Sequence, residues 1–251
     1  MRSISVLNFK GGTGKTSLST NLAHALALEG YKVLLVDCDL QRNASSITTA
    51  LEGPTLTQVL RNEAAFPDAI RPARENLDLL PADNNLNEAA SHITATGARA
   101  YYTVRNAIKR LTGYDYVLFD HSPSYSPVTE TVLLGSSEML IPCELAPYAV
   151  TGLVGMISKL TDVLGGLDHE VGITGIVPFK LDQRYTMTER YLASLKKRFE
   201  ALIIHPVRTD ATIARSQSLG QTVFEYDPKS KAAEDFNAIA KVVIQAKGES
   251  V

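Results

Sequence analysis

Residues 9–17 read FKGGTGKTS, Phe9 through Ser17. A phosphate-binding loop has the form G-x-x-x-x-G-K-[ST], which fits Gly14, Lys15 and Thr16 but asks for glycine where Phe9 stands. The flanks supply the missing context. SISVLNF before the loop has the apolar run of a buried strand, and GKTSLSTNLAHALALEG after it reads as a helix closed by Gly30. A strand, a glycine-rich turn and a helix are the setting in which such a loop works. Gly11, Gly12 and Gly14 let the backbone close around phosphate oxygens, because they accept positive φ and carry no Cβ. The helix start aims free N–H groups and a positive dipole end at the anion. Gly11 through Ser17, Thr13 included, are therefore the expected contacts to the phosphates of a nucleotide. Lys15 is placed for the β- and γ-phosphates, Thr16 for Mg²⁺ through its hydroxyl, and Ser17 for the α-phosphate.

Outward from the loop, short apolar runs alternate with helix-length segments. Strands are expected at Ile4–Asn8, Val33–Asp37, Leu77–Pro81, Tyr116–Asp120, Glu138–Pro142, Ile173–Pro178 and Leu202–His205. Helices are expected at Gly14–Glu29, Ala98–Leu111, Pro127–Ser136, Pro147–Leu164, Thr188–Ala201 and Lys231–Lys247. Strands rich in Val, Ile and Leu on both faces imply helices on both sides. The expected fold class is α/β: a doubly wound, mostly parallel twisted sheet with helices on both faces. No linker or repeat interrupts the chain, so residues 1–251 read as one domain. The 251 residues carry a net charge of -2, which leaves nucleic-acid binding to a local patch. The two cysteines, Cys38 and Cys143, form no CxxC pair, no leader peptide is expected from MRSISVLNFKGG, and no run of about 18 apolar residues is present. A reducing cytoplasm is the expected compartment.

Two further segments end apolar runs in carboxylates. KVLLVDCDLQRNASS brings Asp37 and Asp39 to a strand end, with Cys38 between them expected to face the core, and YDYVLFDHSPSYSP does the same for Asp120. In an open α/β sheet the ligand crevice lies at the carboxyl ends of the strands.

KGGTGKT, residues 10–16, closely resembles the deviant Walker A motif KGGxGK[ST] of the ParA/MinD family of ATPases, which have the P-loop NTPase fold. The resemblance makes Lys10 the signature lysine, which reaches across a dimer interface to the nucleotide of the other subunit. It implies that Lys10, Lys15 and Asp39 serve catalysis, with Asp39 orienting the attacking water. It also implies that Asp37 lies near Mg²⁺ and its waters, and that Asp120 holds the ion through water. The chain departs from the family's DxDPQxN at Leu40, and from its D-[TC]-P-P-S at His121 and Ser122. His121 reads as a packing residue of the switch. The adenine contacts do not carry over clearly; Pro178, Phe179 and Pro206 lie near the right places in the family's frame, and Pro206 is the candidate.

Relatives that dock on membranes, like MinD, end in a basic amphipathic helix. Here DFNAIAKVVIQAKGESV has an apolar stripe but only Lys241 and Lys247 as cations, so no membrane partner is expected. Residues 178–215 instead carry eight basic and four acidic side chains, a net +4. On the helix from Thr188, Tyr191, Leu192, Leu195 and Phe199 share one face and Arg190, Lys196 and Lys197 the other. ParA proteins carry DNA-binding residues in this part of the chain, which makes Lys180, Arg184, Arg190, Lys196, Lys197, Arg208 and Arg215 the candidates. The expected protein is a nucleoid-associated ParA-type ATPase and ATP-dependent homodimer. It would bind DNA without sequence preference and position a plasmid, chromosome or carboxysome through an adaptor that stimulates hydrolysis. With the loop starting at residue 10, no operator-reading domain is expected ahead of it. The rival readings are a MinD-like membrane-associated regulator of division and an iron–sulfur relative, for which the two cysteines are poorly placed.

Overall fold

The computed structural model describes residues 1–47, 52–181 and 186–246. Eight strands form one sheet: β1 Arg2–Val6, β2 Val33–Cys38, β3 Arg71–Arg74, β4 Leu77–Leu80, β5 Tyr116–His121, β6 Glu138–Glu144, β7 Gly172–Leu181 and β8 Val207–Arg208. Their order is β3-β4-β2-β5-β1-β6-β7-β8. Every neighbouring pair is parallel except β3–β4. This is the doubly wound sheet that the alternating pattern predicts.

The chain works outward from β1 in both directions, so the winding reverses between β5 and β6. Ligands bind at that reversal, outside the carboxyl ends of the strands. The phosphate loop follows β1 at this point, and Asp39, Asp120, Glu144, Lys180 and Arg208 stand at or just beyond the ends of neighbouring strands.

Alternate side chains of the strands feed opposite faces. Ile4, Val6, Val33, Leu35 and Leu118 pack under the Lys15–Leu28 and Lys231–Gln245 helices. Leu34, Val36, Val117 and Phe119 face the opposite layer of helices, as do Met139 and Ile141 on the β6 side, under the Ala149–Gly165 and Thr186–Phe199 helices. The Lys15–Leu28 helix is covered nearly all round, which is why its apolar residues show no single face.

Four expectations change. β3 was unforeseen: Arg71 and Pro72 do not read as a strand, yet an antiparallel edge strand tolerates both. Of the strand expected at Leu202–His205 only one bridge forms, Ile176 to Ile203, just after a 3₁₀ turn at Glu200–Leu202, and the edge strand is Val207–Arg208. The single helix expected at Ala98–Leu111 is two, Ala98–Tyr101 and Thr103–Arg110. The helices Leu56–Leu60, Leu86–Thr96 and Ala211–Ser218 lie in the stretches left unassigned.

Candidate nucleotide site

The loop between β1 and the Lys15–Leu28 helix is bent by two glycines, Gly12 at φ 72° and Gly14 at φ 95°. Gly14 is also pressed from outside: a Cβ there would lie 2.5 Å from the Phe179 ring. Around Gly11 and Gly12 a Cβ would meet nothing within 4 Å, so these glycines face open space in the cleft. The loop is closed internally by the Lys10 carbonyl, which accepts from the Lys15 ammonium at 3.2 Å and from the Thr13 hydroxyl at 3.3 Å.

The cleft above it has a volume of about 760 Å³. Gly11 through Ser17 line its floor, Asp39 and Gln41 one wall, Ser122 to Ser124 another, and Phe179, Val207 and Asp210 the far end. Lys15 is 7 % exposed. Burial lowers its pKa, and the nearby Asp120 and Asp39 carboxylates offset part of that shift.

Asp120 lies at the end of β5, in register with Asp37 on β2. Its Oδ2 accepts from the Thr16 hydroxyl at 2.8 Å, while Oδ1 is buried with no partner among the described residues. Burial first, and the Asp37 charge second, raise the Asp120 pKa to about 8. Asp37 is better supplied. Its Oδ2 accepts from the backbone N–H and hydroxyl of Ser45, both at 2.7 Å, and its Oδ1 accepts from Asp39 N–H at 3.0 Å. Burial still raises its pKa. A buried carboxylate with one orphan oxygen, beside a hydroxyl and an ammonium, is a fit for a divalent cation that arrives with a nucleotide. No group of three His, Cys, Asp or Glu side chains able to hold a metal occurs among the described residues. Mg²⁺ needs none, since phosphate oxygens and waters supply most of its shell.

Asp39 is 7 % exposed and lines the cleft, with Oδ1 accepting from Gln41 N–H at 3.0 Å. His121 is buried away from it. Its Nε2 shares a 2.8 Å hydrogen bond with Ser5, whose hydroxyl also bonds Ser136 at 2.6 Å. Burial pushes the imidazole pKa down to about 3, so it is neutral. Cys38 and Cys143 are free and buried.

Lys10 differs from Lys15. Its side chain is 57 % exposed at the lip and pairs with Glu144 at 2.8 Å. The same carboxylate holds Lys180 at 2.7 Å. Glu144 was missed in the sequence, although it too is a carboxylate at a strand end.

The remaining candidates divide. Pro206 lines a separate small cavity with His205 and Asp235, so it is not a wall of the nucleotide cleft; Val207 and Asp210 take that place. Arg208 is not a free cation. Its backbone N–H and guanidinium hold buried Asp235, and a further nitrogen reaches Glu234 at 2.8 Å. These hydrogen bonds raise its pKa further. Lys180 belongs to the cleft rim rather than to a distant patch. Arg190, Lys196, Lys197 and Arg215 are exposed on two helices, and the apolar face opposite them is buried as expected, with Leu195 at 0 %. Arg184 lies outside the described residues.

A family model described as an AAA domain matches residues 1–173. The chromosome partitioning protein ParA of Caulobacter vibrioides is 30% identical over 256 residues, covering 97% of this chain and 94% of that protein. The solved ATP complex of McdA from Cyanothece matches with a TM-score of 0.84 at 22% identity, covering 100% of this chain and 98% of that one. MinD of Pyrococcus horikoshii, complexed with Mg-ADP, matches with a TM-score of 0.78 at 26% identity, covering 100% and 99%.

Proposed function

Because the chain belongs to the ParA/MinD family of deviant Walker A ATPases, we propose that it is a partition ATPase. Its ATP-bound form would pair two copies and hold DNA without sequence preference, and hydrolysis would release it. It is an ATP hydrolase with ATP and Mg²⁺ as its ligands, as in the relatives of this type. The observation that carries the finer reading is the split between two lysines of one loop. Lys15 is buried toward its own cleft, and Lys10 stands exposed at the rim, where among the described residues Glu144 holds it.

In this reading the backbone of Gly11–Thr16 and Lys15 hold the triphosphate. Thr16 and Asp120 hold the metal ion with its waters, and Asp37 braces the switch through Ser45 behind them. The ion, when bound, neutralises charge on the phosphates and organises them. Asp39 orients water for in-line attack, and Lys10 crosses to the second subunit's nucleotide. Positioning and charge stabilisation suffice for phosphoryl transfer, so no covalent nucleophile is needed.

Arg190, Lys196, Lys197 and Arg215 are the DNA candidates that form no ion pair among the described residues, and a dimer would double them. Cargo is brought by an adaptor protein that stimulates hydrolysis. A chromosome fits the name of the Caulobacter relative, a chromosome partitioning protein; a plasmid or a carboxysome would share the same machinery. A membrane partner finds no support in the last helix, where Phe236, Ile239, Ala240 and Val243 are buried against the sheet. No described helix is long and apolar enough to cross a membrane.

DNA binding measured with ATP, with ADP and without nucleotide, across several salt concentrations, tests the proposal. Binding should require ATP and Mg²⁺, and log K should fall against log[salt] with a slope of about -5 for roughly six neutralised phosphates. Binding that ignores nucleotide, or none at low salt with ATP, overturns it.

A further inference from the structure

Phe9 occupies the glycine position of the ordinary phosphate-loop pattern, and the structure gives it a definite neighbourhood. Its ring meets Tyr125 edge-on, with centroids 5.5 Å apart and planes at 83°. The ammonium of Lys159, from the Ala149–Gly165 helix, lies 4.0 Å from the Tyr125 centroid and 6.0 Å from that of Phe9. The Tyr125 hydroxyl donates to the Glu130 carboxylate. Phe9 and Tyr125 are half-buried against the β6 side of the core, while Lys159 is exposed. Three elements therefore meet here: the residue before Lys10, the switch after Asp120, and an outer helix.

We propose that this contact is a clasp that sets the switch against the phosphate loop, with Tyr125 as the positioning residue and Lys159 closing it. Tyr125 stands five residues beyond Asp120, and the turn between them is short and internally tied. The Ser122 hydroxyl donates to the Ser124 carbonyl at 3.2 Å, and that carbonyl also accepts from Thr129 at 3.1 Å. A shift of Tyr125 is thus passed along a stiff segment toward Ser122 and Asp120. Glycine at position 9 would remove the edge-to-face ring contact from Tyr125. The clasp gives Phe9 a purpose that the neighbouring lysine does not explain. It acts on turnover more than on nucleotide affinity, because the phosphate loop itself holds the triphosphate. The inference rests on the ATPase reading and is independent of DNA binding.

The test is ATP turnover in the full-length chain with Lys159→Met and Lys159→Arg, read beside an indole reporter. The chain has no tryptophan, so Phe9→Trp gives a single emission that reports on the clasp. A cation on an aromatic face is worth enough to change kcat about threefold. Lys159→Met should lower kcat by that factor with KM for ATP within about twofold, and Lys159→Arg should recover most of it, since either cation binds the ring. The Phe9→Trp emission should shift on adding Mg-ATP, and Lys159→Met should abolish the shift. If Phe9→Trp does not fold, Tyr125→Trp carries the reporter from the other side. Unchanged kcat in Lys159→Met, an arginine variant as slow as the methionine one, or emission indifferent to Lys159 overturns the clasp. Absence of turnover in the unaltered chain would instead count against the ATPase reading.

Discussion

The floor of the cleft and the outer helix at the β7 edge use charge in opposite ways. On the floor, Lys15, Asp37 and Asp120 are at most 7 % exposed. A buried charge is costly unless matched, so their partners are dictated by the fold. On the Thr186–Phe199 helix, Arg190, Lys196 and Lys197 stand in water. There a charge costs little and little fixes its purpose. Arg208 crosses this divide: it belongs to the basic segment by sequence, yet behaves like a floor residue through buried Asp235. Residue type announces charge; burial decides whether the charge is structural, chemical or free for a partner.

The sharpest way to break the contrast is to remove one lysine at a time from the loop. Lys15→Ala should lower kcat/KM for ATP by on the order of 10²–10³-fold, as loss of a desolvated cation at the transferring phosphate does. Lys10→Ala should retain ATP binding but lose ATP-dependent pairing by size-exclusion light scattering; full pairing and turnover would return Lys10 to the status of a surface lysine. Asp39→Ala should slow turnover about a hundredfold and trap the ATP form on DNA. Fast turnover in that variant contradicts its role with water.

Smaller effects come from the edge. Reversing Lys196 and Lys197 to glutamate should weaken DNA binding about tenfold at low salt and flatten the salt slope, with ATP turnover unchanged. Affinity equal to the unaltered chain moves the DNA surface elsewhere.

The smallest is a pH effect on the floor. Asp120, at about 8, keeps a proton in the folded nucleotide-free chain that an unfolded aspartate, at 3.8, has lost. The fold therefore binds more protons than the unfolded chain, and stability falls as pH rises through 7 to 8. At most about 1.4 kcal/mol per pH unit is involved, or about 3–6 °C in Tm for a chain of this size. Asp37, raised to about 6, is essentially past titration in that window, while His121, at 6.5 unfolded and about 3 folded, offsets only a small part of the fall near pH 7. Asp120→Asn should remove the slope; a slope that persists assigns it to another group.

The same divide explains what the sequence made legible. The central strands fall within a residue or two of expectation because buried parallel strands must be apolar throughout, and the phosphate loop because few residues can form it. Arg71–Arg74 and Val207–Arg208 were missed or misplaced because edge strands escape that demand. At the site, residue types pointed to Lys15, Thr16 and Asp120. They could not reveal that Ser45 occupies Asp37, that Pro206 lies outside the cleft, or that Glu144 holds Lys10. Those facts depend on which neighbours the folding brings, over separations of up to 134 residues for the last.

Glu144 stands between two lysines and is claimed by both. When Lys10 departs, the carboxylate is not stranded, because Lys180 remains. Each of the two pairs is largely in water, where such contacts hold with about 0–1 kcal/mol. The lysine is therefore parked rather than locked. Any stronger concentration of negative charge within reach can draw it off, and the vacated anchor is already neutralised when it goes.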